Sequence, residues 1–218
     1  PEEKDAYFLR GSAELELGDY ESAKADFDKA ISMDPKNYDR LIEIYEALAD
    51  YGYREVGQEY LQNVLNTDKK LDAYDSGRIY YYLGDYQKAY LALEEAKGKG
   101  GVDSYLYLGK AYAATGDYNY ASSVYSNYLS KQGPDAEIYN QLGLCELAKK
   151  DYQKALEAFQ AGKQIEGNSL MQTLSFNEIV AYEYLQDYQK AAVLLKAYLQ
   201  NYPDDQAAIR EQQFLSTR

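Results

Sequence analysis

Apolar and small residues recur along this chain at the spacing of helix faces. Near the start, Tyr7 and Gly11 stand four apart, and Ala23, Phe27 and Ala30 follow at i, i+4 and i+7. Each set lies along one face of a helix, and the small members point to close packing. The pattern breaks at Leu17-Gly18-Asp19. Gly18 suits the left-handed end of a first helix, and Asp19 suits the N-cap of a second. Pro35 stops the unit, because proline cannot continue a helix. The prediction is two helices around a short turn.

That unit repeats. LGDYESA (17–23) returns as LGDYQKA (83–89), TGDYNYA (115–121), KKDYQKA (149–155) and LQDYQKA (185–191). The Asp-Tyr pairs begin at Asp19, Asp85, Asp117, Asp151 and Asp187, with gaps of 66, 32, 34 and 36 residues. The first gap is double length, so it predicts a degraded copy, which ALADYGYREVG (47–57) supplies. Matched positions run through the copies. The small first-helix residue is Gly11, Gly77, Gly109 and Gly143, and the second-helix alanine is Ala23, Ala89, Ala121, Ala155 and Ala191.

This set of positions resembles the tetratricopeptide repeat, a helix–turn–helix unit of about 34 residues. The resemblance covers nearly the whole chain, divided as 4–37, 38–69, 70–101, 102–135, 136–171 and 172–205, with 206–218 as a capping helix behind Asp204 and Asp205. It implies an all-α fold: one domain over 1–218, a right-handed α-α superhelix of six helix pairs plus that cap. Three departures stand out. The second copy has Gly57 where alanine is expected, and its turn ADYGYRE permits more than one register. The sixth has Ile179 in the small slot. KGKGG (97–101) replaces the proline region between the third and fourth copies, so a looser turn and a bend are expected there.

Composition then narrows the function. Of 218 residues, 36 are acidic and 23 basic, giving a net charge of −13. A field of that sign repels phosphate backbones and anionic headgroups, which argues against nucleic acid and membrane surfaces as partners. No apolar run reaches the ~20 residues that span a bilayer. The chain opens PEEKDAYF without an initiator methionine, so a trimmed chain is expected, one from which any targeting segment would have been cut. The compartment stays open between the cytoplasm and an exported, lipid-anchored place on a bacterial surface.

Enzymatic readings find no members. The chain has no histidine and one cysteine, Cys145, so the usual triads find no members, an intrachain disulfide and cysteine-rich metal sites are excluded, and no cofactor is expected. Gly98, Gly100 and Gly101 follow no strand and lack the lysine of a phosphate-binding loop. Glu94-Glu95 and Asp204-Asp205 fit solvated faces and caps, and Cys145 fits a packing position.

The 27 tyrosines sort by slot. Tyr20, Tyr86, Tyr118, Tyr152 and Tyr188 follow the turn aspartate, and so carry the period of the repeat itself. Tyr7, Tyr105 and Tyr139 share one first-helix slot, and Tyr80, Tyr112 and Tyr182 share another. All these are expected to be packing residues.

In the family that this chain resembles, first-helix faces line a concave groove for an extended or helical peptide. Carried over by slot, the groove takes Phe8 and Ser12, then Ile42, Glu43 and Glu46. It continues with Tyr74, Asp75, Arg78, Tyr81 and Tyr82, and then with Leu106, Tyr107 and Lys110. Asn140, Gln141 and Leu144 come next, followed by Phe176, Asn177, Val180 and Tyr184. Tyr74, Arg78, Tyr81 and Tyr82 fall at i, i+4, i+7 and i+8 on one stripe, which with Tyr107 and Lys110 forms the expected centre. Arg78 and Lys110 are read there either as cations for a partner carboxylate or as partners of nearby acids such as Asp75. The family's clamp for chaperone carboxyl termini is not expected. Asn177 fits one of its slots, but Asn140 and Leu144 stand where its companions are needed.

The resulting expectation is a non-enzymatic protein- or peptide-binding scaffold, with self-association through the array ends as a further possibility. Two other readings remain: an exported surface component whose tyrosines stack on a glycan or small solute, and a regulatory module of a larger protein.

Overall fold

The computed structural model describes residues 3–97, 99 and 101–218. All regular elements among them are α-helices, thirteen in number. The chain packs as two compact units, dividing between Ala96 and Lys97.

The first unit holds α1 (Glu3–Glu16), α2 (Tyr20–Met33), α3 (Tyr38–Asp50), α4 (Arg54–Thr67), α5 (Ala73–Tyr82) and α6 (Tyr86–Ala96). Successive helices pair as α1 with α2, α3 with α4 and α5 with α6, and α3 also touches both α1 and α5. The first helices of the three pairs are therefore neighbours. The second unit holds α7 (Gly101–Ala114), α8 (Tyr118–Gln132), α9 (Ala136–Ala148), α10 (Tyr152–Lys163), α11 (Met171–Tyr184), α12 (Tyr188–Asn201) and α13 (Gln206–Leu215). It repeats the pairing, with α7 against α9, and α13 packs on α12. The looser turn expected at KGKGG falls partly on Gly98 and Gly100, which lie outside the described residues.

The turns form as the sequence predicts. Asp19, Asp117, Asp151 and Asp187 each accept a hydrogen bond from the backbone N–H three residues on, capping α2, α8, α10 and α12. Asp85 does the same for Lys88. The preceding residue is left-handed each time: Gly18 and Gly84 at φ +80°, Gly116 at +83°, but Lys150 at +65° and Gln186 at +63°. That conformation lets the Asp19 N–H reach back to Glu14 O at 2.8 Å, closing the first helix.

The ambiguous second turn resolves in one register. Gly52 takes the left-handed position at φ +88°, so Tyr53 stands where the other copies have aspartate. Tyr53 makes no side-chain cap to α4. Its ring instead stacks on Tyr20 at 4.1 Å between centroids. Asp50, the aspartate of the misleading Asp-Tyr pair, ends α3.

Close packing explains the small slots. A Cβ on Gly11 would stand 2.8 Å from Phe27 Cε1, and Gly77, Gly109 and Gly143 are met in the same way by Leu93, Tyr125 and Phe159. In the second pair the sizes exchange. Tyr45 occupies the glycine slot, and a Cβ on Gly57 would stand 2.9 Å from its Cδ2. Gly57 is thus the complement of Tyr45 and not a degraded alanine. In the sixth pair Ile179 fills the small slot and packs in one cluster with Ala191 and Leu195. Each fully buried large side chain contributes roughly 1.5–3 kcal/mol.

At the C-terminal end, Asp205 caps α13 by accepting from the Ala207 and Ala208 N–H groups. Ala208 and Leu215 join the cluster of Ile179, Leu195 and Tyr198. Tyr198 donates to Asp205 at 2.5 Å, and burial with that carboxylate raises its hydroxyl pKa to about 12. Cys145 is buried, and desolvation lifts its thiol to about 11, so it is a packing residue.

Candidate functional site

The groove residues of the first unit sit on α1, α3 and α5. Ile42 is buried in the core, while Glu43 and Glu46 are exposed and Phe8 and Ser12 half-buried. Arg40 lies over the Phe8 ring at 4.1 Å and donates to Asp5 at 2.7 Å, tying α3 to α1. Arg78 ties α5 to α3 in the same way. Only 7% exposed, it donates to Asp39 at 2.5 Å, lies 3.6 Å from Asp75 and covers the Tyr74 ring at 4.9 Å. Of the two roles read for Arg78, the structure shows pairing with neighbouring acids.

Tyr81 and Tyr82 meet edge to face at 5.5 Å. Tyr82 also meets Tyr45 at 5.4 Å, and its hydroxyl donates to Glu46 at 2.7 Å. Tyr81 approaches Tyr86 at 5.7 Å. These rings wall a cleft of about 430 Å³ at the C-terminal ends of α3 and α5, lined by Tyr45, Tyr81, Tyr82 and Tyr86. Its polar lining is Glu46, Asp50 and Arg54. Arg54 donates to the Tyr45 hydroxyl at 2.9 Å.

In the second unit the groove residues are joined through Glu137. Lys110 Nζ lies 3.5 Å from its Oε1, and the Gln141 side-chain amide donates to the same oxygen at 2.9 Å. Asn177 donates to Asn140 Oδ1 at 2.9 Å, linking α11 to α9. Asn140 and Leu106 are buried, Tyr107, Phe176 and Val180 half-buried, and Leu144 and Tyr184 exposed. The Tyr184 ring stacks on Tyr152 at 4.9 Å.

Sequence reasoning missed Asp39, Glu137, Tyr45, Asp50 and Arg54. A signal for the first two existed: Asp5, Asp39 and Glu137 all stand second in their repeats, and each receives a cation from a neighbouring repeat. Among the described residues no cluster of histidine, cysteine or carboxylate groups is arranged to hold a metal. None of the described helices is long and apolar enough to cross a membrane.

Models of the tetratricopeptide repeat match residues 4–37, 106–169 and 176–205. The chain belongs to the tetratricopeptide repeat family. Solved structures agree on the fold. PilW, described as a type IV pilus biogenesis factor, superposes with a TM-score of 0.68 at 16% identity over 99% of both chains. PilF of Pseudomonas aeruginosa gives 0.58 at 18%, covering 99% of this chain and 97% of its own. YrrB, a tetratricopeptide protein with an unusual peptide-binding site, gives 0.56 at 21%, covering 86% and 97%. No curated protein matches the chain in sequence. Tetratricopeptide arrays serve in general as scaffolds for protein interaction, and this chain shares their all-helical architecture.

Proposed function

We propose that the chain is a non-enzymatic scaffold that binds a peptide or protein segment along its first-helix faces. The observation that carries this reading is the tyrosine-walled cleft between the first helices α3 and α5. Rigid aromatic area with oriented hydroxyls is what interface hot spots use. Each unit offers its own surface: Tyr74, Tyr81 and Tyr82 in the first, and Tyr107, Lys110, Gln141 and Asn177 in the second, where the buried Asn140 holds Asn177 from beneath. Arg78 supports the first surface from beneath by fixing α5 to α3. The peptide-binding site described for YrrB belongs to YrrB, but it accords with this use of the fold.

Panning a displayed random-peptide library on the chain tests the reading. Selected peptides should lose about tenfold in affinity or more when Tyr74→Ala and Tyr81→Ala are combined, a change of ~1.4 kcal/mol. The exposed second-helix pair Gln153→Ala and Gln189→Ala should leave them unchanged. If nothing is selected, or if both pairs act alike, the groove assignment fails.

A further inference from the structure

The cleft at the ends of α3 and α5 has a particular chemistry. Four tyrosine rings line it, and aromatic faces attract cations through their negative quadrupole. Glu46 and Asp50 lie one turn apart on α3, and both are exposed. Glu46 is oriented by the Tyr82 hydroxyl donating to its Oε1 at 2.7 Å. The single lining cation, Arg54, is held by the Tyr45 hydroxyl at 2.9 Å. Two carboxylates against one guanidinium leave the lining net negative, inside a chain of net charge −13.

We propose that this cleft seats the lysine or arginine side chain of a bound basic segment. The proposal rests on the scaffold reading and names the ligand chemistry of one part of it. The cation lies against the clustered rings, and its N–H donors meet Glu46 and Asp50. A carboxylate ligand would face two like charges to gain one partner. The chain already seats its own cations on rings elsewhere: Arg40 on Phe8 at 4.1 Å, Arg78 on Tyr74 at 4.9 Å and Lys88 on Tyr80 at 5.4 Å. In this cleft rings and acids share one lining. The acidic field also speeds the encounter with a basic partner.

Because a chain this acidic attracts any polycation, the test must be local. Tetralysine, tetraglutamate and tetraglycine are titrated into the intact chain and into two charge-matched variants. Glu46→Gln with Asp50→Asn empties the cleft of charge, and its glutamine still accepts from Tyr82. Glu55→Gln with Glu59→Gln removes the same charge from the exposed face of α4. Tetralysine should weaken by about tenfold with the first pair and by less than about threefold with the second, the tenfold being ~1.4 kcal/mol. Ring signals of Tyr45, Tyr81, Tyr82 and Tyr86 should move in spectra of tyrosine-labelled protein. Asp50→Asn alone, at a solvent-exposed helix end, serves if the pair does not fold. Equal loss in both variants, unmoved rings or preference for tetraglutamate would overturn the assignment. Library peptides that lack basic residues and ignore the cleft variants would also overturn it, while leaving the scaffold reading intact. If the library yields nothing, both fall.

Discussion

At the scale of single residues, the small slots and the turn positions carry the strongest consequences. Gly143 is met by the Phe159 ring where a Cβ would stand. Gly143→Ala should therefore destabilise the chain by about 1–3 kcal/mol, read as a lower urea midpoint. Lys150 and Gln186 occupy the left-handed position that four other copies give to glycine. An L side chain there costs roughly 1–2 kcal/mol, partly recovered because glycine loses more entropy on folding. Lys150→Gly should raise the midpoint by a fraction of that, and a fall would show that the lysine side chain has an uncounted role. Residue identity also misleads in places. The sequence leaves Arg78 either open to a ligand or paired with Asp75, because its main partner Asp39 lies 39 positions away in the preceding repeat. Only a column of second-position acids hints at that pairing.

At the scale of helices, most of the architecture was legible because each turn repeats the same chemistry. Left-handed residue, capping aspartate and small–large complement recur, so one copy explains the others. The second turn was less legible because Asp50-Tyr51 imitates the motif while Gly52-Tyr53 occupies it. Tyr81 and Tyr82 were legible as groove residues, but the facing wall stayed hidden because Tyr45 and Arg54 belong to the copy that departs most from the pattern. The closing helix α13 gives a prediction of its own. Burial of Glu183 on α11, with Glu211 of α13 as a second carboxyl nearby, raises its pKa to about 7. The unfolded value lies near 4.5. The folded form thus favours the protonated acid: its stability is complete below the unfolded value and is lost as pH rises through about 7. Glu183→Gln should remove that slope. It should stabilise the chain at pH 8 by about 1–2 kcal/mol after allowance for solvent screening, and change little near pH 4. Thermal melts across that range measure it, and an unchanged slope would place the titration elsewhere.

At the scale of the whole molecule, the net charge of −13 sets the response to salt. Self-repulsion of like charges opposes compaction and is screened over a Debye length of about 10 Å at 0.1 M salt. The melting temperature should rise between about 10 and 150 mM sodium chloride. A fall would mean that exposed pairs such as Lys24–Asp28 outweigh the repulsion. The same screening should weaken tetralysine binding without abolishing it, because ring contacts do not depend on ionic strength in that way.

The exchange of sizes between Tyr45 and Gly57 bears on how such an array can be rebuilt. Where glycine faces phenylalanine or tyrosine, the two helices form a lock with one shape, and where tyrosine faces glycine the lock is reversed. A hybrid joining α3 to a second helix from another copy would set two bulky side chains against each other, and the opposite hybrid would leave a hole. Recombination with the second repeat is therefore restricted to whole helix pairs: its unit of exchange is the hairpin, and its two helices must be inherited together.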